Sequence, residues 1–189
     1  MLDGEMAARL AGRDCPHIAA LIQSFEDLPG VLASFYALGA ARNGWLVQGS
    51  LPGMVEDDRR MLIAAGVDVQ GLEAAGQLSI VELDLTLAPE LWVDGWSGVL
   101  MEQLRAGFEA VWFSRFPIGP SDEEIAAVLP FEQAWMSRFR GRPMVTLCPY
   151  ILGGSRAPLP RMADVARVHD HVVTHAFPAD GGRIDAISA

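Results

Sequence analysis

Between Cys15 and Phe177 short apolar runs alternate with longer segments whose apolar residues recur at helical spacing, and this alternation constrains the fold more than any other feature. Strands and helices in succession form βαβ crossovers, which build a mainly parallel sheet covered by helices on both faces. Six runs read as strands: His17–Gln23, Trp45–Gly49, Leu78–Asp84, Ala110–Phe116, Met144–Tyr150 and His171–Ala176. Helical patterns fall at Leu28–Arg42, Val55–Ala65, Ser97–Ala106, Asp122–Arg140 and Met162–Val168, with a short piece at Val69–Ala75. The expectation is an α/β, three-layer domain with a mainly parallel sheet of about six strands over residues 15–177. An N-terminal extension at 1–14 and a flexible tail at 178–189 flank it.

The helix after Pro120 has the clearest start. Ser121-Asp-Glu-Glu124 forms a capping box and places acids at the positive end of the helix dipole. Its apolar stripe is Ile125, Val128, Leu129, Trp135, Met136 and Phe139, and Glu132 falls inside that stripe. A carboxylate facing a core requires a partner. Arg115, at the end of the preceding strand, is the first candidate, and His17 on the first strand is the second.

Composition then removes several functions. The formal net charge is −10 and all 14 basic residues are arginine, with no lysine. So acidic a chain repels phosphate backbones and anionic lipid, so neither direct nucleic-acid binding nor membrane association is expected. Without lysine there is no P-loop lysine, Schiff-base lysine or Ser–Lys pair. After the first strand, where a nucleotide-binding loop would be glycine-rich, the chain reads Gln23-Ser-Phe-Glu-Asp-Leu-Pro-Gly30, with two acids that oppose an anion. Cys15 and Cys148 stand far apart with no metal spacing, so free thiols are expected. No apolar run reaches the roughly 18 residues of a membrane span, and a cytoplasmic protein is expected.

In open α/β sheets ligands bind beyond the carboxyl ends of the strands. That rule selects Ser24, Phe25, Arg115 and Tyr150, with Trp112 beside them, as the wall of a mainly apolar crevice, and it reveals no nucleophile with an adjacent base. Trp92 and Trp96, in what reads as a loop, either close a core or interface or form an apolar lid. His169, His171 and His175 lie close in sequence but lack a Cys, Asp or Glu at ligand spacing, and read as strand-end or surface histidines.

Several stretches together resemble the MEDS family, the methanogen/methylotroph DcmR sensory domain, a degenerate relative of KaiC-like RecA folds. They are His17 with its strand, Phe35 to Trp45, Ala65 to Val69, Ala75 to Leu78, Phe131-Glu132, Leu147-Cys-Pro-Tyr150 and Asp164 to His169. The resemblance implies a sensory module without nucleotide turnover that responds to small hydrocarbon derivatives or relays state to regulatory partners. It also marks His17, Glu132, Cys148, Tyr150 and His169 as recurrent positions. A Gly-Glu pair typical of the family near the fourth strand is absent here, where the chain reads Val111-Trp-Phe-Ser-Arg-Phe-Pro117. Relatives are often fused to helix-turn-helix or kinase-like modules; with neither seen here, output is expected through a regulatory protein partner in trans, and self-association stays open. The resulting reading is a non-catalytic sensory or regulatory domain for a small apolar ligand or a protein partner, without cofactor or metal. Its ligand-binding residues are His17, Ser24, Phe25, Trp112, Arg115, Glu132 and Tyr150. The alternative is a degenerate nucleotide-binding RecA-like protein that does not hydrolyse.

Overall fold

The computed structural model describes residues 16–84, 86–153 and 160–175, so the expected extension at 1–14 and tail at 178–189 lie outside the described residues. The strands are β1 (His17–Ile22), β2 (Gly44–Ser50), β3 (Leu78–Glu82), β4 (Ala110–Ser114), β5 (Met144–Ile151) and β6 (His171–His175). The helices are α1 (Leu28–Ala40), α2 (Val55–Ala64), α3 (Val69–Ala74), α4 (Pro89–Arg105), α5 (Asp122–Phe139) and α6 (Met162–Arg167).

All strand pairs are parallel, in the order β3-β2-β4-β5-β1-β6. From β1 the chain steps outward to β2 and β3, then returns through β4 and β5 before crossing β1 to β6. Right-handed crossovers in opposite directions place their helices on opposite faces. Thus α1, α2 and α3 cover one face, while α4, α5 and α6 cover the other. Every residue of β1, β2 and β5 is buried, as strands covered on both faces require.

Alternation along the strands divides the interior. Ile18, Ala20, Leu46, Trp112, Val145 and Leu147 pack beneath α1. Val47, Val111, Phe113 and Met144 meet Trp92, Trp135 and Phe139 of α4 and α5. Ala19, Leu21, Cys148 and Tyr150 face Ile125, Val128 and Val165.

One helix differs from expectation. The segment carrying Trp92 and Trp96 is no loop; it is the first half of α4, which begins at Pro89. Proline at the first helical position gives up an N–H that would be unpaired there anyway. The tryptophans are four residues apart on one helix face. Trp92 stacks 4.9 Å from Trp135 and Trp96 lies 4.9 Å from Phe113, so both close the core between α4, α5 and the sheet. At α5 the expected capping box forms, with Ser121 Oγ accepting from the Glu124 N–H at 3.1 Å.

Candidate functional site

Beneath α5 a group of buried polar side chains gathers from five separate segments of the chain. Glu132, in the middle of α5, is only 3% exposed. Its Oε1 meets Arg115 Nη2 at 2.8 Å and its Oε2 meets His17 Nε2 at 2.8 Å. Both expected partners are therefore present, one on each carboxylate oxygen. Arg115 follows β4 directly, His17 opens β1, and β5 lies between those strands, which brings Cys148 into the same space. Cys148 Sγ is 3.2 Å from His17 Nε2 and 3.4 Å from Glu132 Oε2.

His169, in the link between α6 and β6, completes the group. The His17 N–H donates to the Asp170 carboxylate at 3.0 Å and the Asp170 N–H donates back to the His17 carbonyl at 2.8 Å. That reciprocal pair holds the His17 and His169 rings 4.1 Å apart. His169 Nδ1 lies 2.8 Å from the Val165 carbonyl, which can only accept, so Nδ1 carries the proton and Nε2 presents a lone pair. Nε2 is buried with no hydrogen-bond partner and faces Glu132 Oε2 at 3.6 Å.

The surroundings fix the charges. Burial alone would push the Glu132 carboxyl upward, but the Arg115 guanidinium on one oxygen and His17 on the other outweigh it and hold the group well below the usual carboxylate range. Burial and the neighbouring His17 push His169 down to about 3, against the pull of Glu132, so it is neutral at ordinary pH. Burial and Glu132 push the Cys148 thiol upward. The resting group is thus one buried ion pair, a neutral imidazole and a protonated thiol.

Beside Arg115 the packing opens. A cavity of about 140 Å³ is lined by Leu83, Trp92, Arg115, Phe116, Ala127, Val128 and Phe131. Leu83 and Phe116 follow the carboxyl ends of β3 and β4, so the cavity occupies the region expected to bind ligand, although its walls differ from those expected. Arg115 is its polar group, and the guanidinium Nε has no hydrogen-bond partner.

Of the other expected site residues Tyr150 stays with the group, its ring 5.9 Å from the Arg115 guanidinium carbon, and the rest are dispersed. Tyr150 is fully buried on the α5 face, with its ring 5.9 Å from His169. Trp112 does not line the crevice; it lies on the opposite face, 5.1 Å from Phe35 under α1. Positions 112 and 115 are an odd number apart, so strand alternation sends them to opposite faces. Phe25 is 60% exposed in the turn after β1, away from the buried group. Ser24 donates its backbone N–H and its hydroxyl to the Asp27 carboxylate, at 3.2 and 3.0 Å. His171 is half-buried in β6 and takes no part in the group. Sequence reasoning missed Leu83, Phe116, Val128 and Phe131 as cavity walls; each reads as an ordinary apolar core residue.

The model of one family, the methanogen/methylotroph, DcmR sensory domain (MEDS), matches residues 16–170. The chain belongs to the MEDS family. Membership carries a sensory domain description, and the matched residues include all five members of the buried group. Among solved structures, the KaiC-like protein PH0186 of the hyperthermophilic archaeon Pyrococcus horikoshii OT3 aligns at a TM-score of 0.51 with 16% identity, covering 84% of this chain and 70% of that one. That likeness bears on the fold, a RecA-like α/β sheet. No curated protein matches the chain. Among the described residues no helix is long and apolar enough to cross a membrane.

Proposed function

We propose that this MEDS domain is a non-catalytic sensor that takes a small, mainly apolar molecule into the cavity beside Arg115. The observation that carries the reading is a buried guanidinium, with an unpartnered Nε, on the wall of a space otherwise lined by Leu83, Trp92, Phe116, Ala127, Val128 and Phe131. An apolar cavity of about 150 Å³ accepts a molecule the size of benzene. Arg115 already has its counter-charge in Glu132, so a neutral hydrogen-bond acceptor suits the site better than a second anion, which would compete with that pair. The wall carries one cation and no nucleophile. A ligand there touches α5 through Ala127, Val128 and Phe131, one turn from Glu132, and α5 is the element through which occupancy would reach a protein partner.

The nucleotide-binding alternative is disfavoured by the loop after β1. The Ser24 donors that a phosphate would use are taken by Asp27, and exposed Glu26 adds further negative charge.

A thermal-shift panel of benzyl alcohol, toluene, benzoate and Mg-ATP tests the proposal. A ligand at 100 times its Kd adds about 2.7 kcal/mol, which corresponds to roughly 5–10 °C at about 2–4 °C per kcal/mol in a domain of this size. Benzyl alcohol should give the largest shift, toluene a smaller one, and benzoate and Mg-ATP none. Ala127→Trp, at the exposed rim, should abolish the benzyl alcohol shift while leaving the unliganded melting temperature nearly unchanged. A shift with Mg-ATP alone would favour the nucleotide reading, and a benzyl alcohol shift insensitive to Ala127→Trp would place the ligand elsewhere.

A further inference from the structure

We propose that His17, Glu132, Cys148 and His169 form a binding site for a single divalent transition-metal ion of the zinc class. Their donor atoms come from β1, α5, β5 and the segment before β6, and all lie within 4.8 Å of one another. Tetrahedral bonds of about 2.0–2.3 Å place ligand atoms roughly 3.3–3.8 Å apart. The separations of 3.4 and 3.6 Å fall within that spacing, those of 2.8 and 3.2 Å lie below it and would have to widen on binding, and no pair exceeds 4.8 Å.

His169 gives the strongest indication. Its Nε2 lone pair points at Glu132 Oε2, which is also an acceptor, and neither can donate to the other. A cation between the two satisfies both. The opposite edge of the same ring donates to the Val165 carbonyl, which is how metal-bound histidines are commonly oriented and their tautomer fixed. Glu132 is arranged similarly: Arg115 meets Oε1, while His17 Nε2 and Cys148 Sγ, the other two donors, converge on Oε2 at 2.8 and 3.4 Å, so Oε2 is the single oxygen placed to ligate once their protons leave.

The donor set selects the ion. Two imidazoles and a sulfur exclude magnesium and calcium, which prefer oxygen, and suit zinc, cobalt(II) or iron(II). Binding is balanced by loss of one proton to solvent: Cys148 gives up its thiol proton as the S–metal bond forms, while the His17 Nε2 proton moves to Nδ1. Thiolate, carboxylate and M²⁺ then sum to zero, so Arg115 faces a neutral centre instead of a second cation. The site does not depend on the ligand reading, because none of the four donors lines the apolar cavity.

Cobalt(II) titration of the full chain after chelator treatment tests this directly. One equivalent should bind, with visible ligand-field bands of tetrahedral intensity and a thiolate-to-cobalt charge-transfer band in the near ultraviolet, and zinc should displace it. Cys148→Ser should remove the charge-transfer band, whereas Cys15→Ser should keep it. His169→Ala should weaken zinc binding by roughly 10–100-fold or more with far-ultraviolet dichroism unchanged, giving a second reading should the serine variant fail to fold. Folded wild-type protein that binds no cobalt, or a charge-transfer band that survives Cys148→Ser, would overturn the assignment.

Discussion

Glu132→Gln should lower the melting temperature of the chelator-treated protein by on the order of 10 °C. The substitution keeps the shape of the side chain and removes the one negative charge paired with Arg115 among the described residues, and Arg115 is itself 5% exposed. Removing one partner of a buried ion pair costs about 3–5 kcal/mol, because the other charge is left without compensation, and a domain of this size loses roughly 2–4 °C per kcal/mol. Arg115→Met should be comparably destabilising. The double variant, with neither charge, should lose less than the sum of the two, with a coupling of up to about 3 kcal/mol. Urea denaturation of the four proteins measures that coupling; strict additivity would mean the two charges are not held against each other. The pH dependence follows from the same geometry. A carboxyl whose folded-state pKa is depressed stabilises the fold above its unfolded pKa and loses that contribution as pH falls through and below the ordinary carboxylate range. His169 acts in the same direction: held down to about 3, it stays neutral while the unfolded chain takes up a proton below roughly pH 6.5, so acid favours unfolding. The deficit of Glu132→Gln should therefore shrink as the medium is acidified towards pH 3.

Much of this site is legible in the sequence. A carboxylate in the middle of an apolar helical stripe must find a partner, and that requirement links Glu132 to Arg115 and His17. The joining of Cys148 and His169 to them is a consequence of topology. β5 lies between β4 and β1, and β6 lies outside β1, an order that strand periodicity does not dictate. His169 stands beside His171 and near His175 in sequence, whereas in space it meets Cys148, Glu132 and His17, which the chain reaches only through other strands and α5. The strands themselves were readable to within two residues because glycine, proline and polar turns bound each apolar run. The start of α4 was hidden by Pro89, since proline marks both loops and first helical turns. Trp112 was misplaced for a simpler reason. A three-residue offset from Arg115 along the chain sends the ring to the other face, although the two positions are close in sequence.

That opposite face supplies the second large effect expected. Trp112 lies flat against two glycines: a Cβ at Gly44 would stand 2.3 Å from its Cδ1 and 2.7 Å from its Nε1, and one at Gly39 would stand 2.8 Å from its Cγ. Both glycines are needed there to admit the indole. Trp112→Ala should cost about 3–5 kcal/mol, since a 2% exposed ring is removed from between α1 and the sheet and the cavity left cannot collapse fully. Gly44→Ala should cost about 1–3 kcal/mol by overpacking, because the added methyl meets the buried ring and, at 2.9 Å, the Gly39 carbonyl, neither of which can move far. Combining Gly44→Ala with Trp112→Phe should recover part of the loss, since the smaller ring relieves the first clash and leaves the second. Recovery on urea denaturation, together with an unchanged benzyl alcohol shift and cobalt spectrum in Trp112→Phe, would separate the two faces of the sheet by function. Loss of the benzyl alcohol shift in Trp112→Phe, with the melting temperature otherwise retained, would instead return Trp112 to the ligand site and move the cavity that matters to the α1 side.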